Sequence, residues 1–153
     1  MQLKIYQENA IDDLLNKTKK LLGYSGSKKL VFKSPTGSGK TIMMAEFLKR
    51  LVNGRDVRQS LGFIWTAPRQ LHKQSKDKLE KYFAQSRALE CKFFEDLSDR
   101  KIGENEILFF NWESINKENK NTIVKENEQE FYLSKVLELT REEGRKIILI
   151  VDE

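Results

Sequence analysis

The stretch Leu30 to Leu48 reads LVFKSPTGSGKTIMMAEFL, and it decides how the rest of the chain is read. A short apolar run, Leu30 to Phe32, ends in a Gly-rich turn and passes into residues suited to a helix, which predicts strand, loop and helix in succession. The loop SPTGSGKT, Ser34 to Thr41, fits the phosphate-binding pattern G-x-x-x-x-G-K-[ST] at every position but the first, where Ser34 stands for Gly. Gly37 and Gly39 lack a Cβ, so the backbone can take positive φ and turn successive N–H groups inward as a nest for phosphate oxygens. A helix starting near Gly39 adds unpaired N–H groups and roughly half a positive charge at its first turn. Lys40 supplies a mobile full charge for β- and γ-phosphates, and Thr41 offers a hydroxyl to Mg²⁺, a hard cation that prefers oxygen. Thr36, Gly37, Ser38, Gly39, Lys40 and Thr41 are therefore the expected nucleotide-binding residues. The plain alternative is a Gly/Ser/Thr turn that merely precedes a helix, and the strand before and helix after argue against it.

Outward from this loop, strands alternate with helices. Ile11, Leu14, Leu15, Leu21 and Leu22 form one helical stripe between Tyr6 and Leu22, with Gly23 placed to stop it. The loop's own helix should run to about Val52 and end at Asn53-Gly54. A second strand is expected over Leu61 to Thr66, then a helix from near Pro68 to about Phe83. CKFF (Cys91 to Phe94) and EILFF (Glu106 to Phe110) are further strands, and residues 116–130, rich in Asn, Lys and Glu, read as an exposed insertion. A helix is expected from Gln129 to Glu143, closed by Gly144. IILIV (Ile147 to Val151) follows, apolar throughout as a strand covered on both faces must be. The order predicts an α/β fold, a P-loop parallel sheet with helices on both faces. Ligands of such sheets bind beyond the carboxyl ends of the strands, where both the Ser34 to Thr41 loop and Asp152-Glu153 fall.

The 153 residues allow one domain with a real core, and 33% charged against 39% hydrophobic residues excludes a disordered chain. Ile147 to Val151 is the longest apolar run, far short of the ~20 residues a spanning helix needs, so no membrane partner is expected. The opening MQLKIYQENAIDDLL carries acids and no apolar core of a signal peptide, which predicts a cytoplasmic location. One cysteine, Cys91, and one histidine, His72, supply neither a disulfide nor a Cys/His zinc site. The net charge of +5 is uneven: residues 1–76 hold 15 Lys and Arg against 5 Asp and Glu, and residues 77–153 hold 13 against 18. A basic half containing a phosphate loop suits a nucleic acid backbone, although lysines such as Lys17, Lys19 and Lys20 are ordinarily just solvated.

An apolar strand ending in Asp-Glu supplies one carboxylate to hold Mg²⁺ through water and a second to deprotonate an attacking water. Asp152 is the expected metal residue and Glu153 the general base, with Lys40 the other catalytic group. Without the phosphate loop these acids would read as a mere strand end.

Together these motifs resemble the first, RecA-like motor domain of a superfamily 2 helicase or translocase of the DEAD/DEAH type, over the whole chain. SPTGSGKT resembles motif I and IILIVDE the start of motif II. LKIYQENAIDDLL resembles the segment that carries an adenine-reading glutamine, which implies Tyr6 and Gln7 as base contacts. TAPRQL resembles motif Ia and implies Thr66 and Arg69 as contacts to a phosphodiester backbone. FFNWESI is similar to the motif Ib region and implies Asn111, Trp112 and Ser114, with Trp112 equally readable as a core aromatic. Spacing and the NWESI segment look most like the restriction subunit of type III restriction–modification enzymes. The resemblance implies ATP and Mg²⁺ as cofactors and ATP hydrolysis coupled to movement on nucleic acid, double-stranded DNA above all. It also implies a second motor domain, and a nuclease domain or modification subunit, as partners. It further implies that residues 1–153 are a piece ending within motif II, with an incomplete sheet and weak turnover in isolation. Two other readings stand beside it: a P-loop ATPase that remodels protein, and a nucleotide- or DNA-binding module without turnover.

Overall fold

In the computed structural model, which describes residues 2–35, 37–54, 56–111 and 133–152, the chain divides into two units, Met1–Val57 and Arg58–Glu153. The first is helical. Helix α1 spans Ile5–Leu22 and buries Ile11, Leu14 and Leu15, an i, i+3, i+4 set on one face. It ends at Gly23, whose N–H returns to the Lys20 carbonyl. Helix α2 spans Lys40–Asn53 and buries Met43, Ala45, Phe47, Leu48 and Leu51. The two helices pack together, and Arg50 of α2 ties them, reaching Glu8 at 2.9 Å and Asp12 at 3.5 Å on α1 while Glu46 holds it from its own helix at 3.1 Å. The hydrogen bond that Arg50 donates to Glu8, with the one to Glu46 adding to it, holds this guanidinium above its ordinary pKa against a smaller cost of burial.

Leu30 to Phe32 corrects the reading of the sequence: it is not a strand. The segment is without ladder pairing among the described residues, with Leu30 39% and Val31 66% exposed. A strand exists only by pairing, and among the described residues its own unit holds helices α1 and α2 and no second strand to pair with. The loop is thus entered from unpaired chain rather than from a sheet.

The second unit holds the sheet. Strand β1 spans Leu61–Ala67, helix α3 Leu71–Phe83, strand β2 Glu90–Lys92, strand β3 Glu106–Asn111, helix α4 Leu133–Glu142 and strand β4 Lys146–Val151. The order is β2-β3-β1-β4, parallel at every pairing. All seven residues of β1 are buried, so both of its faces are covered. On one face Ile64, Leu108 and Phe110 pack with Val136 of α4 and with Phe94 and Ile102. From β1 the chain passes through α3 to the edge strand β2, steps inward to β3, and returns past β1 to β4 by way of α4. Right-handed crossovers in opposite directions place the two helices on opposite faces.

Three smaller departures have physical causes. The helix expected from Pro68 begins at Leu71, because Arg69 sits at φ 56°, in the left-handed region where a helix cannot continue. Phe94 leaves the expected strand for a single 3₁₀ turn, Phe94–Asp96, whose Asp96 carboxylate accepts the Phe93 N–H. Strand β4, expected to be covered on both faces, is an edge strand with Leu149 54% and Val151 50% exposed. Its apolar composition therefore exceeds what its neighbours cover. Residues 116–130, and the first residues of the helix expected from Gln129, lie outside the described residues.

Candidate functional site

In the first unit the loop Ser34 to Thr41 has the backbone its glycines predict. Gly37 lies at φ 81° and Gly39 at φ 86°, both in the left-handed region. The positive φ is what favours glycine at position 39; a Cβ there would also meet Gln7 Nε2 at 2.6 Å, a flexible side-chain end that would have to shift. Gly39 caps α2, so Lys40 and Thr41 open the helix, and Met43 N–H closes the first turn on the Gly39 carbonyl at 2.9 Å. The N–H groups of the first turn are the ones a helix leaves unpaired for an anion.

Tyr6 and Gln7, from the start of α1, meet this loop directly. The Tyr6 hydroxyl donates to the Ser38 carbonyl at 2.9 Å and Gln7 Nε2 donates to the same oxygen at 3.0 Å. Gln7 Oε1 in turn accepts the Lys4 N–H at 2.9 Å, a box that fixes the start of the helix. Within the loop, the Ser34 and Ser38 hydroxyls are hydrogen-bonded to each other. Reading the residues alone missed these contacts. A Gln or Ser carries no signal of its partner, and these pairs lie 31 and 4 residues apart. Thr36 lies outside the described residues.

In the second unit the carboxyl ends of three adjacent strands carry the other expected residues. Ala67 pairs with Asn111 on one side, and on the other the Thr66 carbonyl accepts the Asp152 N–H at 2.9 Å, one residue beyond the Thr66–Val151 pair. By strand alternation Asn111, Ala67 and Asp152 share a face, with Asn111 and Asp152 two strand spacings, about 10 Å, apart. Thr66 belongs to the opposite face and is 0% exposed. Arg69 is exposed on the turn into α3, in a strained backbone conformation of the kind that clusters at binding sites. Trp112, Ser114 and Glu153 lie outside the described residues.

Trp65 Nε1, Thr66 Oγ1 and His72 Nδ1 are buried without a hydrogen-bond partner among the described residues, all near the junction of β1 with α3. Burial, with the charge of Lys73 added, pushes the His72 pKa down, so the ring is neutral at neutral pH. Among the described residues no group of three or more His, Cys, Asp or Glu could hold a metal ion, and no helix is long and apolar enough to cross a membrane. Mg²⁺ takes one or two protein oxygens and completes its shell with water and phosphate, and the Thr41 hydroxyl of the first unit and the Asp152 carboxylate of the second are each donors of that chemistry, as Cys and His are not.

No curated protein and no solved structure matches this chain. The family model described as type III restriction enzyme, res subunit, matches residues 1–153. The α/β architecture, the parallel sheet and that match agree, and the chain belongs to the type III restriction enzyme res-subunit family, helicase-like, nucleotide-dependent motor domains with a RecA-like P-loop fold.

Proposed function

We propose that the chain binds ATP through Ser34–Thr41 and serves as the nucleotide-binding half of a DNA helicase or translocase, as in the restriction subunit of a type III system. The observation that carries this reading is the loop itself. Two left-handed glycines stand immediately before a helix whose first residues are Lys40 and Thr41, and Tyr6 and Gln7 touch the loop from α1.

The roles follow from chemistry. Loop N–H groups and Lys40 hold the β- and γ-phosphates, and Tyr6 and Gln7 meet the base, Gln7 with an amide that both donates and accepts. Thr41 and Asp152 are the residues that would hold Mg²⁺, which neutralises phosphate charge when bound. A water oxygen attacks the γ-phosphorus as the bond to the β–γ bridging oxygen breaks. ADP and phosphate leave, and Glu153 takes the water's proton. Arg69 and Asn111, with Trp112 and Ser114, meet the nucleic acid. A second motor domain, and a nuclease domain or modification subunit, are the partners this function requires.

Fluorescence anisotropy of a labelled DNA duplex, titrated with the chain with and without ATP and Mg²⁺, tests the reading. ATP should change duplex affinity several-fold, since coupling free energies between linked sites correspond to about 5- to 150-fold. ATP binding without DNA binding would favour protein remodelling. DNA binding indifferent to ATP would favour a module without turnover.

A further inference from the structure

We propose that the phosphate loop latches itself in the nucleotide-free form, with Ser38 as the catch and the hydroxyl of Ser34, which stands where the general pattern has glycine, as its partner. The proposal rests on the nucleotide reading above and goes beyond it. Every hydrogen-bonding group of Ser38 is already engaged by the protein. Its N–H donates to the Pro35 carbonyl at 3.1 Å, its carbonyl accepts from Tyr6 and Gln7, and its hydroxyl pairs with that of Ser34. A phosphate nest works by presenting backbone N–H groups to the anion. An N–H committed to Pro35 is closed to phosphate until the loop rearranges. The residue the pattern asks for at position 34, glycine, has no hydroxyl and would leave the Ser38 side chain without this partner.

The same catch connects the phosphates to the base. Gln7 uses both ends of its amide, Nε2 on the Ser38 carbonyl and Oε1 on the Lys4 N–H. A base that takes the Gln7 donor removes one of the two hydrogen bonds on the Ser38 carbonyl and so loosens the loop. When only a fraction of molecules has the open loop, apparent affinity falls by that fraction, and weakening the latch restores it. The Ser34 hydroxyl therefore opposes nucleotide binding. A wholly supporting residue at this position would favour it.

Isothermal titration of the chain with ATP and Mg²⁺, and with inorganic tripolyphosphate, which has phosphates and no base, tests the latch in wild type, Ser34→Ala and Ser34→Gly. Ala removes the hydroxyl with little change in backbone freedom, and Gly restores the residue of the pattern. Both should bind both ligands about 3- to 10-fold more tightly, the change carried by one net hydrogen bond. In the unliganded protein the Ser38 amide should exchange with solvent faster in Ser34→Ala than in wild type. Wild type that binds ATP, with both variants binding equally or more weakly and no change in exchange, overturns the latch alone. Wild type that fails to bind ATP overturns the nucleotide reading and the latch with it.

Discussion

Replacing Thr140 by Val separates hydrogen bonding from shape inside the unit that carries Asp152. Thr140, on α4, is 0% exposed; its hydroxyl accepts the Ile102 N–H at 3.0 Å and donates to the Val136 carbonyl at 2.6 Å. Valine has nearly the same shape and fills the same space, but leaves the Ile102 N–H, on a residue that is itself 0% exposed, without its acceptor. An unmet buried donor costs about 1–3 kcal/mol, so Thr140→Val should lose about 2 kcal/mol, equivalent to about 4–8 °C in midpoint for a chain of this size. Thr140→Ser keeps the hydroxyl and loses one buried methyl, which costs about 1 kcal/mol. Urea unfolding, followed by tryptophan fluorescence to which Trp65 stacked on Phe109 contributes, measures both through the transition midpoint at unchanged slope. The valine variant should unfold first. If valine is as stable as wild type, or the serine variant is the weaker, packing and not the hydrogen bond joins Ile102 to α4.

Three further outcomes are expected. Arg69→Ala should weaken binding to all duplex sequences alike and reduce the slope of log affinity against log salt by about 0.9, the share of one phosphate contact; an unchanged slope in salt titrations would remove Arg69 from the interface. Glu153→Gln should retain ATP affinity while lowering the hydrolysis rate by about 100-fold or more, the usual contribution of a general base, and an undiminished rate in a phosphate-release assay would assign the base elsewhere. Burial, with Glu80 adding to it, pushes the Cys91 thiol up to about 12 from 9.0, so iodoacetamide at pH 8.5 should alkylate the native chain far more slowly than the unfolded one. Because the folded pKa lies above the unfolded one, this thiol's contribution to stability is present below pH 9 and declines as pH rises toward 12. The decline is at most about 1.4 kcal/mol per pH unit, and Cys91→Ala should remove it.

What was legible in the sequence was what local chemistry decides. Gly37 and Gly39 announce left-handed backbone, Gly23 and Gly144 stop helices where they stand, and the apolar runs at Leu61, Glu106 and Ile147 become parallel strands. What was not legible depends on partners distant in sequence. Leu30 to Phe32 has the composition of a strand, and composition cannot supply the neighbouring chain that makes one. β4 reads as fully buried, but its place at the sheet edge, which leaves Leu149 half exposed, is a property of strand order. Thr66 is 0% exposed, as every residue of β1 is buried, and that burial comes from packing on both faces of the strand, which its own letters do not show. The engagement of Ser38 by Tyr6, Gln7 and Ser34 combines both difficulties, since it joins a helix start to a loop through side chains that could each have bonded elsewhere.

Binding of labelled ATP to wild type and to Lys40→Ala tests the central claim most directly, because Lys40 opens the helix behind the two left-handed glycines and is the charge assigned to the β- and γ-phosphates. Equilibrium dialysis in Mg²⁺ at low salt should show saturable binding to wild type and at least about a 10-fold loss on removal of the ammonium, since a charged hydrogen bond contributes about 1.5–3 kcal/mol. Equal affinity of the two proteins for ATP would contradict the claim that Ser34–Thr41 is a phosphate-binding loop.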